Sequence, residues 1–259
     1  MKIFVCIKQV PDTETKIKIK PDGAGLDPFG VSKWVLNPYD EFAVEEAVKF
    51  RETNPGAQVF VLTVGPKERA ADALRTALAM GADEALLVHA PDPLDANMTA
   101  KALAEAIKKE GGAQLIFTGK LSIDANQSSV GQMVAELLSI PHASVISKTQ
   151  YSADSVLADR DVEGGTKEKI KLSRPCLLAA NKGLNTPRYA SLPGIMKAKK
   201  KVIKEYDLPG LGVTEADRRI QFQQFSLPQE KPAAKILSGD SAAQVGELVK
   251  LLRDEAKAL

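Results

Sequence analysis

The most informative part of the sequence is a polar stretch between two apolar ones, Gly119-Lys120-Leu121-Ser122-Ile123-Asp124-Ala125-Asn126-Gln127-Ser128-Ser129-Val130-Gly131-Gln132. The apolar run Leu115–Phe117 precedes it and predicts a buried strand. After it, apolar side chains recur at helical spacing, at Val130, Met133, Val134, Leu137 and Leu138. Strand, polar loop and helix in this order are typical of the carboxyl edge of an open α/β sheet, where such folds bind ligands.

This loop has the features of an anion site. Ser128 or Ser129 is placed to cap the following helix through its side chain. The first N–H groups of a helix have no partner within it, and together with the helix dipole they favour a phosphate. An ordinary βα loop with a serine cap explains the stretch equally well, so the loop alone leaves both interpretations open.

Composition excludes several classes of protein. The chain has 259 residues, of which 44% are hydrophobic, enough for one good core and an appendage. A net charge of +2 and an aromatic content of 5% argue against nucleic-acid binding. No apolar run approaches the roughly 20 residues of a membrane span, and the strand-like start differs from a signal peptide. Cys6 and Cys176 lie in apolar runs, which predicts buried thiols in a reducing, cytoplasmic setting.

Strands and helices alternate over about the first 150 residues, which predicts a parallel, doubly wound sheet. The predicted elements are strands at 2–8, 59–64 and 85–88 and helices at 67–80 and 95–109. The first strand is followed by Lys8-Gln9-Val10-Pro11-Asp12. Because this segment contains no glycine, neither a Rossmann fingerprint nor a P-loop begins there.

A strong helix start follows Trp34-Val35-Leu36. It reads Asn37-Pro38-Tyr39-Asp40-Glu41, with asparagine at the cap, proline at the first helical position and acids in the first turn. We expect this helix to carry Ala43, Ala47 and Phe50 inward and its glutamates outward. Alternation in Thr15–Lys20 predicts an exposed strand before it.

The pattern changes around His142, where short strands follow one another. They are predicted at 144–148, 156–161, 167–172 and 176–180. The paired glycines in Arg160-Asp161-Val162-Glu163-Gly164-Gly165 predict a hairpin turn. This β-hairpin extension either carries a partner surface or is a simple appendage of the sheet.

Residues 185–201 combine apolar side chains with a basic run. Leu192, Ile195 and Met196 lie where proline and glycine interrupt the chain, which predicts an irregular loop, and Lys197-Ala198-Lys199-Lys200-Lys201 follows. The segment is either a loop packed on its own domain beside solvated lysines or a protein-docking loop beside a basic patch that attracts an acidic partner.

The last part of the chain has a different character. Residues 203–238 lack periodicity and are too long for an ordinary loop, so we interpret them as an arm lying on another subunit. A helix from Ser241 follows, with one apolar stripe of Val245, Leu248, Val249 and Leu252. The predicted organisation is an α/β nucleotide-binding domain at 1–202 and an extended C-terminal arm and helix at 203–259.

Taken together, these segments resemble the small (β) subunit of electron-transfer flavoproteins over essentially the whole chain. The main segments that carry the resemblance are residues 35–41, Arg75-Thr76-Ala77-Leu78-Ala79-Met80-Gly81-Ala82-Asp83, the 119–132 loop and residues 185–201. Residues 158–160, 163–165 and 175–178 also fit the family. A match spread over separated segments is more specific than any single glycine motif.

The resemblance implies a Rossmann-like, adenine-nucleotide-binding fold in an electron carrier without catalytic residues of its own. Such a subunit forms a heterodimer with a larger α subunit, on which its C-terminal arm packs and which holds most of an FAD. The carrier takes electrons from flavin dehydrogenases such as acyl-CoA dehydrogenases and passes them to a membrane quinone oxidoreductase. The family's dehydrogenase-recognition segment corresponds to Leu192, Pro193, Ile195, Met196, Lys197, Lys199 and Lys200.

The resemblance also implies a buried AMP with a structural role. Carried over by position, its pocket comprises Cys6, Asn37, Pro38, Tyr39, Asp40, Val64, Gly119, Asp124, Ala125, Asn126, Gln127, Ser128, Ser129 and Val130. These residues follow three predicted strands and open two predicted helices, which is where a nucleotide phosphate is favoured.

One departure from the family concerns the loop. Members that hold AMP often read Asn-Gln-Thr-Gly where this chain has Ser128-Ser129-Val130-Gly131. A valine before the glycine occurs in electron-bifurcating relatives, which hold a second FAD in place of AMP, but these usually carry Thr-Ala-Gln ahead of it. AMP is therefore the preferred interpretation, and a second FAD is the alternative.

Two other functional classes fit the sequence less well. A nucleotide-hydrolysing or adenylating enzyme needs a glycine- and serine-rich loop after the first strand, and a nucleotide-sensing stress protein needs a second glycine closely following Gly119. His89 and His142 stand far apart beside apolar runs, and no metal-ligand spacing is present. We therefore expect no catalytic site and no metal site.

Overall fold

A computed structural model describes residues 1–231 and 233–259. Its strands are β1 (Lys2–Cys6), β2 (Gln9–Pro11), β3 (Trp34–Leu36), β4 (Gln58–Gly65), β5 (Glu84–His89), β6 (Leu115–Gly119), β7 (His142–Tyr151), β8 (Ser155–Asp161), β9 (Lys167–Ser173), β10 (Cys176–Ala180) and β11 (Ile203–Asp207). Its helices are α1 (Pro38–Thr53), α2 (Lys67–Met80), α3 (Ala96–Lys109), α4 (Val130–Leu137), α5 (Leu192–Lys200) and α6 (Ser241–Asp254).

Nine strands form one sheet in the order β11-β5-β4-β1-β6-β10-β7-β8-β9. Neighbours from β11 to β7 are parallel, and β7, β8 and β9 pair antiparallel as a hairpin extension. The chain runs outward from β1 through β4 to β5 and then returns to place β6 on the other side of β1. This reversal confirms the predicted doubly wound α/β fold and opens a crevice beside the carboxyl ends of β1 and β6.

Both faces of the sheet are buried, as the near-continuous apolar strands predict. In β6, Leu115 and Phe117 point into a core shared with α1 and α2, whereas Ile116 points into a second core shared with α3 and α4. All three side chains are at most 1% exposed. Because successive side chains of β6 point to opposite faces of the sheet, this strand contributes to two separate cores.

Several local predictions are wrong. Residues 15–20 form no strand; the one pairing there is the isolated bridge between Ile19 and Leu26. On α4, Val134 is buried, but Met133 and Leu137 are 37% and 39% exposed, so the buried stripe is narrower than its spacing predicts. α4 packs mainly against α3 on one side, which leaves the opposite edge of the stripe uncovered.

The chain divides into two units, Met1–Phe225 and Ser226–Leu259. The division lies later than residue 202, because Ile203–Asp207 pair with β5 as an edge strand of the sheet. Within the second unit, the side chain of Asp240 accepts from the N–H of Ala243 at 2.8 Å and caps α6. Val245, Leu248 and Val249 on that helix are exposed. That this segment lies on another subunit stays a prediction.

Two glutamates of α1 are buried, contrary to the outward orientation we predicted. Glu46 is 6% exposed. Its Oε1 accepts hydrogen bonds from Thr149 Oγ1 at 2.5 Å and Tyr151 Oη at 2.8 Å, and its Oε2 accepts one from Asn185 Nδ2 at 3.0 Å. Burial and the neighbouring Glu46 charge raise the pKa of Tyr151 well above its usual value. Glu46 thus ties α1 to the sheet extension and to residue 185.

We expect Glu46→Ala to lower the free energy of unfolding by about 3 kcal/mol, because it removes the acceptor of three partly buried donors. Urea unfolding provides the measurement. The exposed Glu68→Ala on α2 is the matched control and should change stability by less than about 1 kcal/mol, the value of a charge near a helix start. Equal losses in the two variants would contradict the structural role of Glu46.

Candidate functional site

The crevice beside β1 and β6 is organised by the carboxylate of Asp40, which is buried in the first turn of α1. Its Oδ2 accepts from the N–H of Lys8 at 2.7 Å, two residues after the end of β1. Its Oδ1 accepts from the N–H of Gly119 at 3.0 Å, at the end of β6. One side chain therefore joins the start of α1 to the carboxyl ends of two adjacent strands.

Asn37 supports this arrangement and does not cap its own helix. Its Nδ2 donates to Asp40 Oδ1 and to the carbonyl oxygen of Leu121, both at 2.9 Å, and its Oδ1 accepts from the N–H of Ile123 at 3.2 Å. The predicted side-chain cap is wrong, since the described structure shows no cap hydrogen bond from Asn37 to α1. The side chain instead holds the 119–130 loop against the start of α1.

Burial dominates the electrostatics of this crevice. It raises the pKa of Asp40 to about 7, although the donors on Asn37, Lys8 and Gly119 act in the opposite direction. Burial, with a smaller contribution from the Asp40 charge, raises the pKa of Cys6 to about 12. Cys6 and Cys176 are free, buried thiols, as the sequence predicts.

Gly119 allows the chain to pass close to α1. A Cβ at this position would lie 2.4 Å from Asp40 Oδ1 and 2.7 Å from Tyr39 Cβ. Both distances are shorter than real contacts allow, so any larger residue would displace the loop. The loop glycine is thus required by the hydrogen bond between its N–H and Asp40.

The rest of the loop turns sharply and is exposed at residues 124–127. Asn126 and Ser128 have φ values of 53° and 50°, in the left-handed region. Ser128 Oγ donates to the carbonyl oxygen of Lys120 at 2.7 Å, and Lys8 Nζ lies 2.6 Å from Asp124 Oδ2. Lys8, two residues after β1, is absent from the predicted nucleotide residues.

The start of α4 has free donors. Ser129 is at the cap position, yet neither it nor Ser128 makes a side-chain cap bond to the helix in the described chain, so the predicted serine cap is wrong. The first N–H groups of α4 are therefore open to an external acceptor. Nearby, the buried Thr118 Oγ1 has no hydrogen-bond partner among the described residues, and a Cβ on Gly131 would lie 2.9 Å from it.

The structure brings the predicted nucleotide residues together. Cys6 is in register with Leu62 of β4 on one side and with Thr118 of β6 on the other. Val64, two residues after Leu62, is half-buried at the same edge of the sheet. The remaining members belong to the start of α1 or to the 119–130 loop.

Residues 185–201 lie elsewhere, beside α1 and α2, and contain a helix where we predicted an irregular loop. α5 begins at Leu192, and Ser191 Oγ caps it by accepting from the N–H of Gly194 at 3.1 Å. Proline at the second helical position is compatible with this start. Leu192 and Met196 are nevertheless 79% and 65% exposed, and Ile195 is 38% exposed.

We expect Asn37→Ala to cost about 3 kcal/mol of unfolding free energy, more than the roughly 1 kcal/mol of a lost cap, because buried groups of the loop lose their partners. Asn54→Ala at the other end of α1 removes two bonds, from Asn54 Nδ2 to the Phe50 carbonyl oxygen and to Thr53 Oγ1, and is the matched control. Thermal or urea unfolding measures both. A loss no larger than that of Asn54→Ala would limit Asn37 to a local role.

We expect the Asp40 carboxyl to make stability fall as pH rises from about 4 towards 7. Its folded-state pKa of about 7 lies above the ordinary value of 3.8, so the folded chain binds the extra proton in this interval. The stabilising contribution of Asp40 is complete below its pKa in the unfolded chain. It is lost as the pH rises through its pKa in the folded chain. In unfolding measured at several pH values, the advantage of the wild type over Asp40→Asn should shrink across this window; a constant difference would contradict it.

Comparisons with known proteins agree with this architecture. The sequence profile described as "Electron transfer flavoprotein domain" matches residues 31–211. The chain is 42% identical over 268 residues to the electron transfer flavoprotein subunit beta of Bacillus subtilis, covering 100% of both chains. It is 38% identical to the Bradyrhizobium diazoefficiens subunit over 100% of both, and 35% identical to the Mus musculus subunit over 97% of this chain and 99% of that one. The chain therefore belongs to the electron transfer flavoprotein beta-subunit family.

Proposed function

We propose that this chain is the small subunit of a heterodimeric electron-transfer flavoprotein, a carrier in the cytoplasm. It shares an FAD with a larger α subunit, accepts electrons from flavin dehydrogenases such as acyl-CoA dehydrogenases and delivers them to a membrane quinone oxidoreductase. The flavin supplies the redox chemistry when bound. Membership of the family supports the electron-transfer role, and the chain contributes binding surfaces with no catalytic residue.

Within this function, the crevice beside β1 and β6 holds AMP as a structural group. The observation that carries this proposal is the Asn37–Asp40 pair, which fixes the 119–130 loop against the start of α1. The uncapped N–H groups of α4 are suited to a phosphate. The buried, unpartnered Thr118 hydroxyl is a polar group of the kind that a bound ligand satisfies.

The residues that would hold the nucleotide are those brought together at this edge, Cys6, Asn37, Pro38, Tyr39, Asp40, Val64, Gly119, Asp124, Ala125, Asn126, Gln127, Ser128, Ser129 and Val130. A second FAD in the same place, as in bifurcating flavoproteins, is the alternative. Ser128-Ser129 ahead of Val130 is what favours AMP over it.

We expect the purified heterodimer to release one AMP and one FAD on denaturation, identified by chromatography of the small molecules. Gln127→Glu should reduce AMP retention by about tenfold, because a carboxylate beside the phosphate costs roughly 1 kcal/mol or more. Gln114→Glu makes the same change just before β6, at the opposite end of the strand, and should retain AMP fully.

The alternative predicts a different result. Two FAD per heterodimer without AMP would favour the bifurcating function. Release of the shared FAD alone, with neither AMP nor a second FAD, would contradict nucleotide binding at the crevice. Equal losses of AMP in both glutamate variants would place the site away from the loop.

The second part of the proposed function concerns α5, where dehydrogenases dock. Leu192 and Met196 are exposed apolar side chains on a short helix. Its last turn carries Lys197, Lys199 and Lys200, so an apolar pocket with an acidic rim is the complementary partner surface. Pro193 and Ile195 complete the predicted contact set.

We expect Leu192→Ala to weaken dehydrogenase binding by roughly 1–3 kcal/mol, because few buried apolar anchors dominate such interfaces. The measurement is flavin reduction by an acyl-CoA dehydrogenase at several heterodimer concentrations. Ile17→Ala, at a side chain 40% exposed between β2 and β3, is the control and should leave the kinetics unchanged. Loss of flavin or early melting with unchanged kinetics in Leu192→Ala would show that the leucine is a packing residue.

A further inference from the structure

α5 is held in place by little apolar contact. It has nine residues, and Ala198 is its one fully buried side chain. A helix this short is not stable in water without tertiary support. A cavity of about 560 Å³ adjoins it, lined by residues of the α2 end and of the segment around α5, so the space beside the helix is incompletely filled. Close backbone packing and polar contacts must therefore determine its position.

The first of these contacts is the close approach of Gly194 to α2. A Cβ at Gly194 would lie 2.6 Å from the carbonyl oxygen of Ala79. No side chain other than hydrogen fits there without moving one helix away from the other. The glycine is thus needed for packing, since its φ value is ordinary and does not require glycine.

The second contact comes from Arg75 on α2. Its Nη1 donates to the carbonyl oxygens of Ala198 and Lys201, at the end of α5. Free carbonyls at a helix end favour a positive charge there. Arg75 therefore acts as a cap supplied by a neighbouring helix.

The third contact is Lys201, which belongs to the basic run but is directed inward. Its Nζ donates to the carbonyl oxygens of Ala82 and Asp83, just after α2. Arg51 donates to the Gly81 carbonyl at 2.7 Å and to Asp83 Oδ1 at 2.7 Å, and so fixes the same turn. Lys201 thus contributes to packing, and the exposed basic patch consists of Lys197, Lys199 and Lys200.

The chain entering α5 is also fixed. Arg188 Nε donates to Glu45 Oε2 at 2.8 Å and its Nη1 to Glu52 Oε1 at 2.6 Å, both on α1. These carboxylates raise the pKa of Arg188 above its ordinary value. Tyr189 follows and is 98% exposed.

We propose that Arg75, Gly194 and Lys201 are positioning residues that hold α5 in its dehydrogenase-binding orientation, so that Leu192 and Met196 reach the partner without an ordering cost. This inference rests on the proposed docking function of α5. It also gives a physical role to the Arg75–Asp83 segment, which lies away from the nucleotide crevice. The partner surface that α5 contacts is the apolar pocket with an acidic rim described above.

The test uses the intact heterodimer and an acyl-CoA dehydrogenase as the electron donor. Gly194→Ala improves intrinsic helix propensity by about 1 kcal/mol, yet it should raise the KM for the heterodimer about tenfold, the cost of ordering one or two interface side chains. The kcat and the flavin content should stay unchanged, and hydrogen exchange of the α5 amides should become faster. Arg75→Ala should behave in the same way, and Arg75→Lys should recover part of the loss.

The control is Arg218→Ala, which removes an i,i+3 pair with Glu215 and should leave KM unchanged. In the Leu192→Ala background, Gly194→Ala should add little, because the anchor that it positions is absent. If Leu192→Ala raises KM and Gly194→Ala and Arg75→Ala do not, the positioning role is wrong while docking stands. If Leu192→Ala has no effect, the docking function itself fails.

Discussion

The two hydrogen bonds from backbone N–H groups to the Asp40 carboxylate are the constraint on which the crevice beside β1 and β6 depends. A buried carboxylate is costly unless its oxygens are hydrogen-bonded. Here the donors are Lys8, Gly119 and the Asn37 side chain, so the ends of β1 and β6 and the start of α1 must all be in place at once. Gly119 has no side chain because the same contact leaves no room for one.

The helix that carries Asp40 connects this crevice to the docking segment. Further along α1, Glu46 accepts hydrogen bonds from β7 and from Asn185, and Glu45 and Glu52 hold Arg188. Burying Glu45 and Glu46 of α1 would be costly without hydrogen-bond partners, and the residues named here supply them. α1 therefore supports both regions that the proposed function uses, at its start the nucleotide loop and in its middle the chain leading to α5.

The proposed docking function benefits from a contact helix that is ordered before binding, because ordering it during binding would reduce affinity. α5 illustrates how this is achieved with few apolar contacts. Its outer face is exposed, and its inner face is held by the close approach of Gly194 to α2 and by hydrogen bonds from Arg75 and Lys201 to backbone carbonyl oxygens. The exposed apolar stripe of α6 is a second unpaired surface within its own unit.

Hydrophobic periodicity is a property of neighbouring residues, and it was sufficient to predict the alternating strands and helices of the first 150 residues, including α2 at 67–80. Motifs in separated segments were sufficient to identify the family. Tertiary structure decided where polar side chains point. Asn37 bonds the Leu121 carbonyl 84 residues away, and Glu46 bonds Tyr151 105 residues away, so local rules placed both side chains incorrectly. Long-range contacts also accompany α5 and β11: Arg75 donates to the end of the helix and β11 pairs with β5, and neither partner is adjacent in the sequence.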